Sequence, residues 1–555
     1  MKKENKILLL LALFCLFTIL IIELTSPTFL YRDPYMFKHF SAAEFILENQ
    51  KIGLNPDEVN EFLFSGWEYI YSKKLSGFTF FGQDFIYQDF IFYPLPVLSA
   101  VVLSLTSNID TFFLFNHFYF LIFISGLSFF ILFREIFEDK FLALGLSLIV
   151  VLFPFEPLYY KITFHGWFFV RIFGAIALYF LVKLLKQSFS FKLKNLFFLL
   201  IFSVLGIYSD KSAFAIVLLP LILFFVLYFF FQRKTFKVKK RVLNSFLLVF
   251  LFLVIFSSLA IFFQLFWNFK AVFYNFKNLN FLPSFLATTL PFSEYYLEKD
   301  FWYLLVRYAI PAITVFSLLI FNFNKIKNFV LKNPVIKSFV FSQLIFYFLI
   351  AFGMLFSFVF LSMRGAAMIF FFLSLICFIG LHQMQNKKLK YSLISVFFIL
   401  VLIVPLLFFT QTPQFKYEQF SQKHLASLEW IKSNLTEDSF VYSDVKMANA
   451  IRFKGKIFAF NPRIEFNDFM EKEIIPVYYG IDINSVLNRF ELYKITHLLL
   501  TEEMSSIMVQ PANELLKPAT ALEKYNKSEY FNKVFENKQV RLYEINLSLE
   551  AENEG

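Results

Sequence analysis

The chain has 555 residues, of which 58% are hydrophobic and 22% aromatic, and its formal net charge is +11. Such a composition excludes an ordinary soluble enzyme and predicts a polytopic membrane protein. Because the basic residues are concentrated in short segments between apolar runs, the positive charge indicates membrane topology and not nucleic-acid binding. Cys15 and Cys377 both lie inside apolar runs, so the sequence offers no disulfide framework.

The first apolar run, residues 6–24, predicts an uncleaved membrane span, because no small-residue cleavage site follows it. The chain then places Asp33 about two to three helical turns beyond the hydrocarbon. Pro34 breaks the incoming helix and fixes Asp33 at a turn. After Pro34, apolar residues recur near helical spacing, which predicts a short amphipathic helix along the membrane surface; they are Phe37, Phe40, Ala43, Phe45 and Ile46.

Two interpretations of this first-loop segment stay open. In the first, it is an interfacial cap whose Arg32 and Lys38 contact lipid headgroups. In the second, Asp33 is the central acid of an active site at the membrane face. A carboxylate at this depth costs little free energy if it faces water and considerably more if it faces lipid.

Further spans are predicted at residues 111–133, 141–155, 167–184, 196–208, 214–231, 243–266, 302–322, 338–362, 365–382 and 391–410. The segment 93–106 is too short to cross comfortably and begins near two prolines, so we interpret it as a helix on the outer surface. This assignment places the lysine-rich loops on the side of the N-terminus, as the positive-inside tendency requires; they are 185–195, 232–242, 323–337 and 383–390. The sequence therefore predicts eleven spans in a cell membrane, with the N-terminus cytoplasmic.

From Lys423 onward the pattern changes to that of a soluble α/β module. It predicts helices at 425–434, 448–453 and 483–492, strands at 439–442, 456–460 and 496–500, and a hairpin at 531–535 and 540–545. The predicted fold class is a polytopic α-helical membrane domain, residues 1–410 with a long first outer loop at 25–108. An extracytoplasmic α/β domain, residues 411–555, follows it.

Side chains that could carry chemistry are concentrated in the first two outer loops. We take Asp33 and Glu156 as candidate catalytic carboxylates. Candidates for substrate binding are His39, Asp84, Asp89, Lys161, His165, Arg171 and Arg364. For Asp84 and Asp89 the alternative is a solvated loop carboxylate, and for the two histidines an interfacial polar role. No spacing of His, Cys, Asp and Glu matches a known metal site.

Arg171 interrupts an otherwise apolar run, where insertion of a charge costs roughly 2.5–3.5 kcal/mol. Such a cost is usually tolerated because the guanidinium meets an anion, which at this depth would be a lipid phosphate. Arg364 at a predicted outer membrane edge has the same interpretation. Snorkelling of the side chain to the interface is the alternative for both arginines.

Several segments resemble oligosaccharyltransferase catalytic subunits. The first-loop motif of that family is similar to Asp33-Pro-Tyr-Met-Phe-Lys-His39 followed by Ala43-Glu-Phe-Ile-Leu-Glu-Asn49, and its continuation to Tyr93-Pro-Leu-Pro. The entry to its C-terminal domain is similar to Leu428-Glu-Trp-Ile-Lys-Ser-Asn434 with Phe440-Val-Tyr-Ser-Asp444. The resemblance implies the GT-C superfamily, whose multi-span glycosyltransferases take sugar from a polyprenyl-phosphate carrier at the outer face.

The chain departs from the family at two motifs. After Asp444 the family carries Trp-Trp-Asp-Tyr-Gly, which recognises the acceptor sequon, whereas this chain reads Val445-Lys-Met-Ala-Asn-Ala. The family's second loop supplies an acidic pair, whereas the comparable stretch here, His165-Gly-Trp-Phe-Phe-Val-Arg171, has no carboxylate. Both departures argue against oligosaccharide transfer to asparagine and against a tightly held divalent metal.

The sequence thus predicts a glycosyltransferase that moves a sugar from a polyprenyl-phosphate-linked donor in the membrane to a protein or glycan acceptor, with no nucleic-acid partner. Asp33 would be the general base, or a ligand if a divalent metal such as Mg²⁺ or Mn²⁺ is present. One alternative is an oligosaccharyltransferase-like protein with a degenerate acceptor motif. Another is a non-catalytic membrane assembly or transport protein, although the sequence shows no inverted repeat.

Overall fold

The structure is a computed structural model. It describes residues 6, 8–17, 29–31, 43, 47, 98, 101, 102, 105, 120–152, 166–186, 193–209, 213–232, 251, 309–355, 359–409, 419–436, 438–443, 445–451, 458–460, 477, 482–492, 495–502 and 522–546. The chain divides into two compact units. The helical unit comprises Met1–Thr25, Phe92–Leu95 and His117–Thr410, and the mixed unit comprises Ser26–Ile91, Pro96–Asn116 and Gln411–Gly555.

The helical unit is built from apolar helices. They are α1 (Leu8–Phe17), α2 (Phe120–Phe137), α3 (Lys140–Leu152), α4 (Gly166–Lys186), α5 (Leu193–Ile207), α6 (Ala213–Gln232), α7 (Ile310–Lys332), α8 (Pro334–Leu355), α9 (Val359–His382), α10 (Lys387–Phe397), which continues as a π-helix over Phe398–Ile403, and α11 (Val404–Phe409). Helix α4 packs on α2 and α5, α6 packs on α8, and both α7 and α8 pack on α9. Asp139 and Asn386 cap the starts of α3 and α10 through their side-chain oxygens.

Two predicted breaks between spans differ from the structure. The predicted loop 323–337 is mostly helical, because α7 continues to Lys332 and Pro334 begins α8 after the single extended residue Asn333. Arg364, predicted at a loop between spans, lies inside α9. Both corrections have one cause: hydropathy marks where a segment becomes polar, whereas lysine and arginine do not end a helix.

Large apolar side chains lie on the outside of the helical unit. Ile320 is 78% exposed, Phe348 68% and Phe323 63%. Soluble monomers rarely expose large contiguous apolar surface, and a surface of this kind is typical of contact with lipid. Within the described part of the chain, Ile310–Lys332 is the helix that is long and apolar enough to cross a membrane. The number of spans stays a prediction.

Two glycines allow helices to approach α9 closely. A Cβ atom at Gly145 of α3 would lie 2.1 Å from the Phe378 ring, and one at Gly380 would lie 2.7 Å from Cγ1 of Ile326 in α7. Small residues at such crossings are typical of helix packing in membranes, where close van der Waals contact replaces the hydrophobic effect. Helices α3 and α7 therefore each pack closely on α9.

Three loops that the predicted topology puts on one side meet at one end of this bundle. Lys186 Nζ lies 2.5 Å from Glu138 Oε1, and His382 Nε2 lies 2.9 Å from Asp139 Oδ2. Lys390 Nζ donates to the carbonyl of His382 at 2.6 Å. Partial burial raises the pKa of Asp139, but backbone N–H groups and the His382 ring outweigh it, so the pKa lies below its usual value. These contacts agree with the same-side placement of 134–140, 185–195 and 383–390.

The mixed unit contains a five-stranded sheet. Its elements in chain order are β1 (Phe29–Tyr31), β2 (Gln419–Ser421), α12 (Gln422–Asn434), β3 (Phe440–Tyr442), α13 (Val445–Ala450), β4 (Phe458–Phe460), α14 (Asn484–Leu492), β5 (His497–Thr501), α15 (Lys524–Lys527), β6 (Phe531–Glu536) and β7 (Val540–Ile545). The strand order is β4-β3-β5-β7-β6, with β3 parallel to β4 and β5 and with β7 antiparallel to β5 and β6. Every helix and strand predicted after Lys423 is present, with shifted ends.

The sheet covers an aromatic core. Tyr442, Phe490, Tyr525 and Tyr543 are fully or nearly fully buried in it, together with Leu498. The hydroxyl of Tyr525 donates to the carbonyl of Val477 at 2.6 Å, so this buried phenol is satisfied. In β7 the apolar residues Val540, Leu542, Tyr543 and Ile545 are buried, whereas Arg541 and Glu544 are exposed.

Parts of both predicted surface helices in the first outer loop are described. Ala43 and Leu47 are helical within 40–50, and Ala43 is fully buried. Leu98, Val102 and Leu105 are helical within 93–106, and their side chains are 46%, 59% and 70% exposed. The three residues follow a helical spacing, so they form an apolar stripe of the kind that lies on a membrane surface.

Strands β1 and β2 form a second, two-stranded sheet that the sequence did not predict. Phe29 pairs with Ser421, Leu30 with Phe420 and Tyr31 with Gln419. Because hydrogen-bonded strands lie on the same side of a membrane, an even number of spans must separate them. The predicted spans between them are even in number, whereas a spanning segment at 93–106 would make the number odd. The pairing therefore favours a surface helix at 93–106.

The topology can be tested with single cysteines in a background that lacks Cys15 and Cys377. We expect Lys327→Cys and Lys387→Cys to be shielded from an impermeant thiol reagent in intact cells, because the basic segments 323–337 and 383–390 are predicted to be cytoplasmic. Lys527→Cys should react, since this side chain is 78% exposed in the predicted outer module. Labelling of all three after permeabilisation is the control. Labelling of position 327 or 387 in intact cells would contradict the eleven-span topology.

Candidate functional site

Most of the predicted site residues lie outside the residues that the structure describes. These are Asp33, His39, Asp84, Asp89, Glu156, Lys161 and His165. Arg364 lies in α9, but its side chain is not among those described. Arg171 is the predicted site residue whose side chain can be located, and Asp33 can be related to the structure through the strand that precedes it.

Arg171 lies in the second turn of α4 and is half-buried. Its guanidinium carbon Cζ is 5.8 Å from the centre of the Phe129 ring in α2. Phe129 in turn contacts Phe133, with ring centres 5.8 Å apart. The apolar residues around Arg171 make α4 a helix of the bundle, and the packing of α4 on α2 brings the guanidinium over an aromatic face.

The chemistry of the guanidinium group makes Arg171 a candidate for anion binding. Insertion of arginine into an apolar helix costs roughly 2.5–3.5 kcal/mol. A cation–π contact of this kind contributes about 0.5–2 kcal/mol, which offsets part of that cost. A guanidinium forms strong, often bidentate hydrogen bonds with phosphate, and it remains charged at any physiological pH. The position is therefore suited to hold the phosphate of a lipid.

Asp33 follows strand β1 by two residues. Tyr31, the last residue of β1, pairs with Gln419 in β2, the strand that follows the last predicted span. The backbone just before Asp33 is thus hydrogen-bonded to the start of the C-terminal segment. No sequence signal predicts this contact, because β1 is a run of three residues and its partner is distant in sequence.

A network of side chains ties β2 to the β6–β7 hairpin. Ser421 Oγ accepts hydrogen bonds from the backbone N–H groups of Lys423 and His424 at 3.2 and 3.3 Å and donates to Gln539 Oε1. His424 Nδ1 accepts from the backbone N–H of Ser421 at 3.0 Å. This is a capping box with histidine in the place that glutamate or glutamine usually takes. That substitution explains why the sequence pattern did not reveal it.

The metal hypothesis concerns residues beyond the described part. Among the described residues, no group of three or more His, Cys, Asp and Glu side chains is arranged to hold a metal ion. Asp33, the predicted ligand, is not among them. Binding of Mg²⁺ or Mn²⁺ at the first loop therefore stays a prediction, and the chemistry below uses protein side chains.

Comparison with known proteins gives a limited result. No family model matches the chain, and no curated protein matches it. Among solved structures, the chain is similar to the crystal structure of ArnT from Cupriavidus metallidurans in the apo state, with a TM-score of 0.44 and 10% sequence identity. The similarity covers 97% of this chain and 98% of that one. At this TM-score neither a fold nor an activity is transferred from it.

Proposed function

We propose that the chain is a GT-C-type integral membrane glycosyltransferase, which transfers a sugar from a polyprenyl-phosphate-linked donor to a protein or glycan acceptor at the outer membrane face. The observation that carries the proposal is the placement of Arg171, a half-buried guanidinium over the Phe129 ring near the start of an apolar helix. The predicted topology puts that end of α4 outside. A phosphate on a lipid carrier reaches this depth because its lipid chain anchors it in the membrane. A free phosphate would lose its hydration in an apolar environment, which is energetically unfavourable.

In the proposed transfer step, the candidate catalytic and phosphate-binding residues have the following roles. A hydroxyl of the acceptor attacks the anomeric carbon of the sugar, and Asp33 accepts the proton of that hydroxyl. The bond between the anomeric carbon and the phosphate oxygen breaks, and the carrier leaves as polyprenyl phosphate. Arg171, with Lys161 or Arg364, stabilises the negative charge that develops on the leaving phosphate. Glu156 is the second candidate carboxylate.

The remaining candidates would orient the sugar. His39, Asp84, Asp89 and His165 have side chains that exchange hydrogen bonds with sugar hydroxyls. Such contacts contribute to specificity because a buried polar group that loses its partner costs about 1–3 kcal/mol. The β1–β2 pairing supports the placement of the first loop on the same side as the C-terminal module, where these groups and an acceptor would meet.

A turnover assay tests the proposal. The full-length chain in lipid nanodiscs should release polyprenyl phosphate from at least one member of a panel of polyprenyl-phosphate-linked sugars when membrane extract supplies the acceptor. The label of the sugar should appear in the acceptor fraction, and heat-inactivated protein should give neither product. Binding of these donors without turnover across the panel would contradict the glycosyltransferase and favour a non-catalytic membrane protein.

A further inference from the structure

The turn of the β6–β7 hairpin is a fixed point in the mixed unit. Asn537 Oδ1 accepts from the backbone N–H groups of Gln539 and Val540, both at 2.9 Å. The carbonyl of Gln539 accepts from the N–H of Glu502 at the end of β5 at 2.8 Å. Gln539 is thus held from two directions, and its side chain is presented from a rigid turn.

The end of β2 and the start of α12 are each held to this fixed point by one hydrogen bond. The hydroxyl of Ser421 donates to Gln539, and Asn537 Nδ2 donates to the carbonyl of Lys423 at 2.9 Å. Ser421 is 6% exposed, so water has little access to its hydroxyl, whereas the bond between Asn537 and Lys423 is exposed.

The capping box then fixes the direction in which β2 meets α12. The backbone N–H of Ser421 donates to His424 Nδ1 at 3.0 Å, and Ser421 Oγ lies 3.0 Å from the same nitrogen. Nδ1 must therefore be unprotonated, which places the ring proton of a neutral His424 on Nε2. A glutamine at this position would offer an equivalent acceptor, whereas alanine would offer none.

The β1–β2 ladder links the position of β2 to the first loop, because β1 is part of that loop. A ladder of three residue pairs is weak by itself, so the place of β1 depends on what holds β2. Phe29, at one end of the ladder, pairs with Ser421, the residue bonded to Gln539. Asp33 follows the other end by two residues.

We propose that Ser421, His424 and Gln539 are positioning residues that hold β2 against the hairpin, so that the β1–β2 ladder places Asp33 for proton transfer. The inference rests on the proposed function and assigns the C-terminal module a part in it. None of the three residues touches the reacting atoms. Their effect passes through the ladder, which distinguishes them from a cap that only stabilises its own helix.

Kinetic constants of the full-length chain distinguish a positioning role from a cap that only stabilises α12. Gln539→Ala and His424→Ala should reduce kcat roughly tenfold to a hundredfold, the scale of a small misplacement of a catalytic group, with the KM for the donor little changed. His424→Gln should retain most of the activity. Lys538→Ala, an exposed neighbour in the same turn, is the matched control and should match the wild type. Wild-type kcat in both alanine variants would overturn the inference.

A cross-link provides the rescue test. Leu30→Cys and Phe420→Cys are register partners, so in a background without Cys15 and Cys377 they should form a disulfide. The cross-link should restore kcat in Gln539→Ala, because it replaces the lost support of the ladder. Loss of activity that the cross-link does not restore would overturn the positioning role.

The rate at which the two cysteines cross-link is a second measurement. This rate should fall severalfold in Gln539→Ala, and it can be measured even if the chain transfers no sugar. An unchanged rate would count against the inference and leave the proposed function untouched.

Discussion

Replacement of Asp33 by asparagine is expected to reduce sugar transfer by roughly a hundredfold or more, the usual scale for loss of a general base. Asparagine keeps the size of the side chain but cannot accept a proton at neutral pH. Asp33 lies beyond the β1 ladder and Pro34 is predicted to set its turn, so expression and topology should be unchanged. The measurement is kcat/KM for a lipid-linked donor with protein in nanodiscs.

Other carboxylates provide the matched controls for Asp33. Asp84→Asn and Asp89→Asn should each cause a smaller loss, since these residues are proposed to orient the sugar and not to accept the proton. Glu156→Gln should fall between them and Asp33→Asn. Near-normal transfer by Asp33→Asn, together with loss of transfer by Glu156→Gln, would move the active centre to the second outer loop.

Arg171→Met is the second substitution with a large expected effect. Methionine fills the space and suits an apolar helix, but it carries no charge for the leaving phosphate. Loss of one electrostatic contact to a transition state typically reduces kcat by about 10²–10³. Since methionine also removes the insertion cost of the arginine, the thermal stability of the chain should be unchanged or higher. Steady-state kinetics and thermal unfolding of one preparation give both results.

Two further variants separate the phosphate contact from the ring contact of Arg171. Arg171→Lys keeps the charge but loses the planar donor fork, so it should be intermediate in kcat/KM. Phe129→Leu removes the ring under the guanidinium and should reduce kcat/KM only a few-fold. A normal kcat/KM in Arg171→Met with a lower unfolding temperature would show that Arg171 is structural.

The features that the sequence predicted are those set by local pattern. The hairpin after Phe531 was predicted from two alternating runs around a polar turn, and helix Asn484–Leu492 from its apolar spacing. Where the structure describes the chain, the course of the apolar helices followed from hydropathy, but their ends did not; nearly all of the predicted span 243–266 lies outside the described residues. Helix α7 continues into lysine-rich sequence because lysine is a good helix former, and Pro334 with Asn333 sets the break.

The features that the sequence did not predict are set by contacts between distant segments. Strand β1 is formed by pairing with β2, which is distant in sequence. Three residues are too few to show the period-2 pattern by which a strand is recognised. His424 takes the place of the usual acidic residue in a capping box, so its role appears only with its partners Ser421 and Gln539. Gly145 lies against Phe378, a neighbour that nothing in the local sequence indicates.

The most direct test of the central claim is the transfer rate in sealed right-side-out vesicles, with lipid-linked donor in the outer leaflet and acceptor added outside. A glycosyltransferase with its base at Asp33 should transfer sugar without permeabilisation, and Asp33→Asn vesicles with the same amount of protein should show roughly a hundredfold less. Transfer that requires access to the interior, or that proceeds equally well in the Asp33→Asn vesicles, would contradict an outer-face active site built on Asp33.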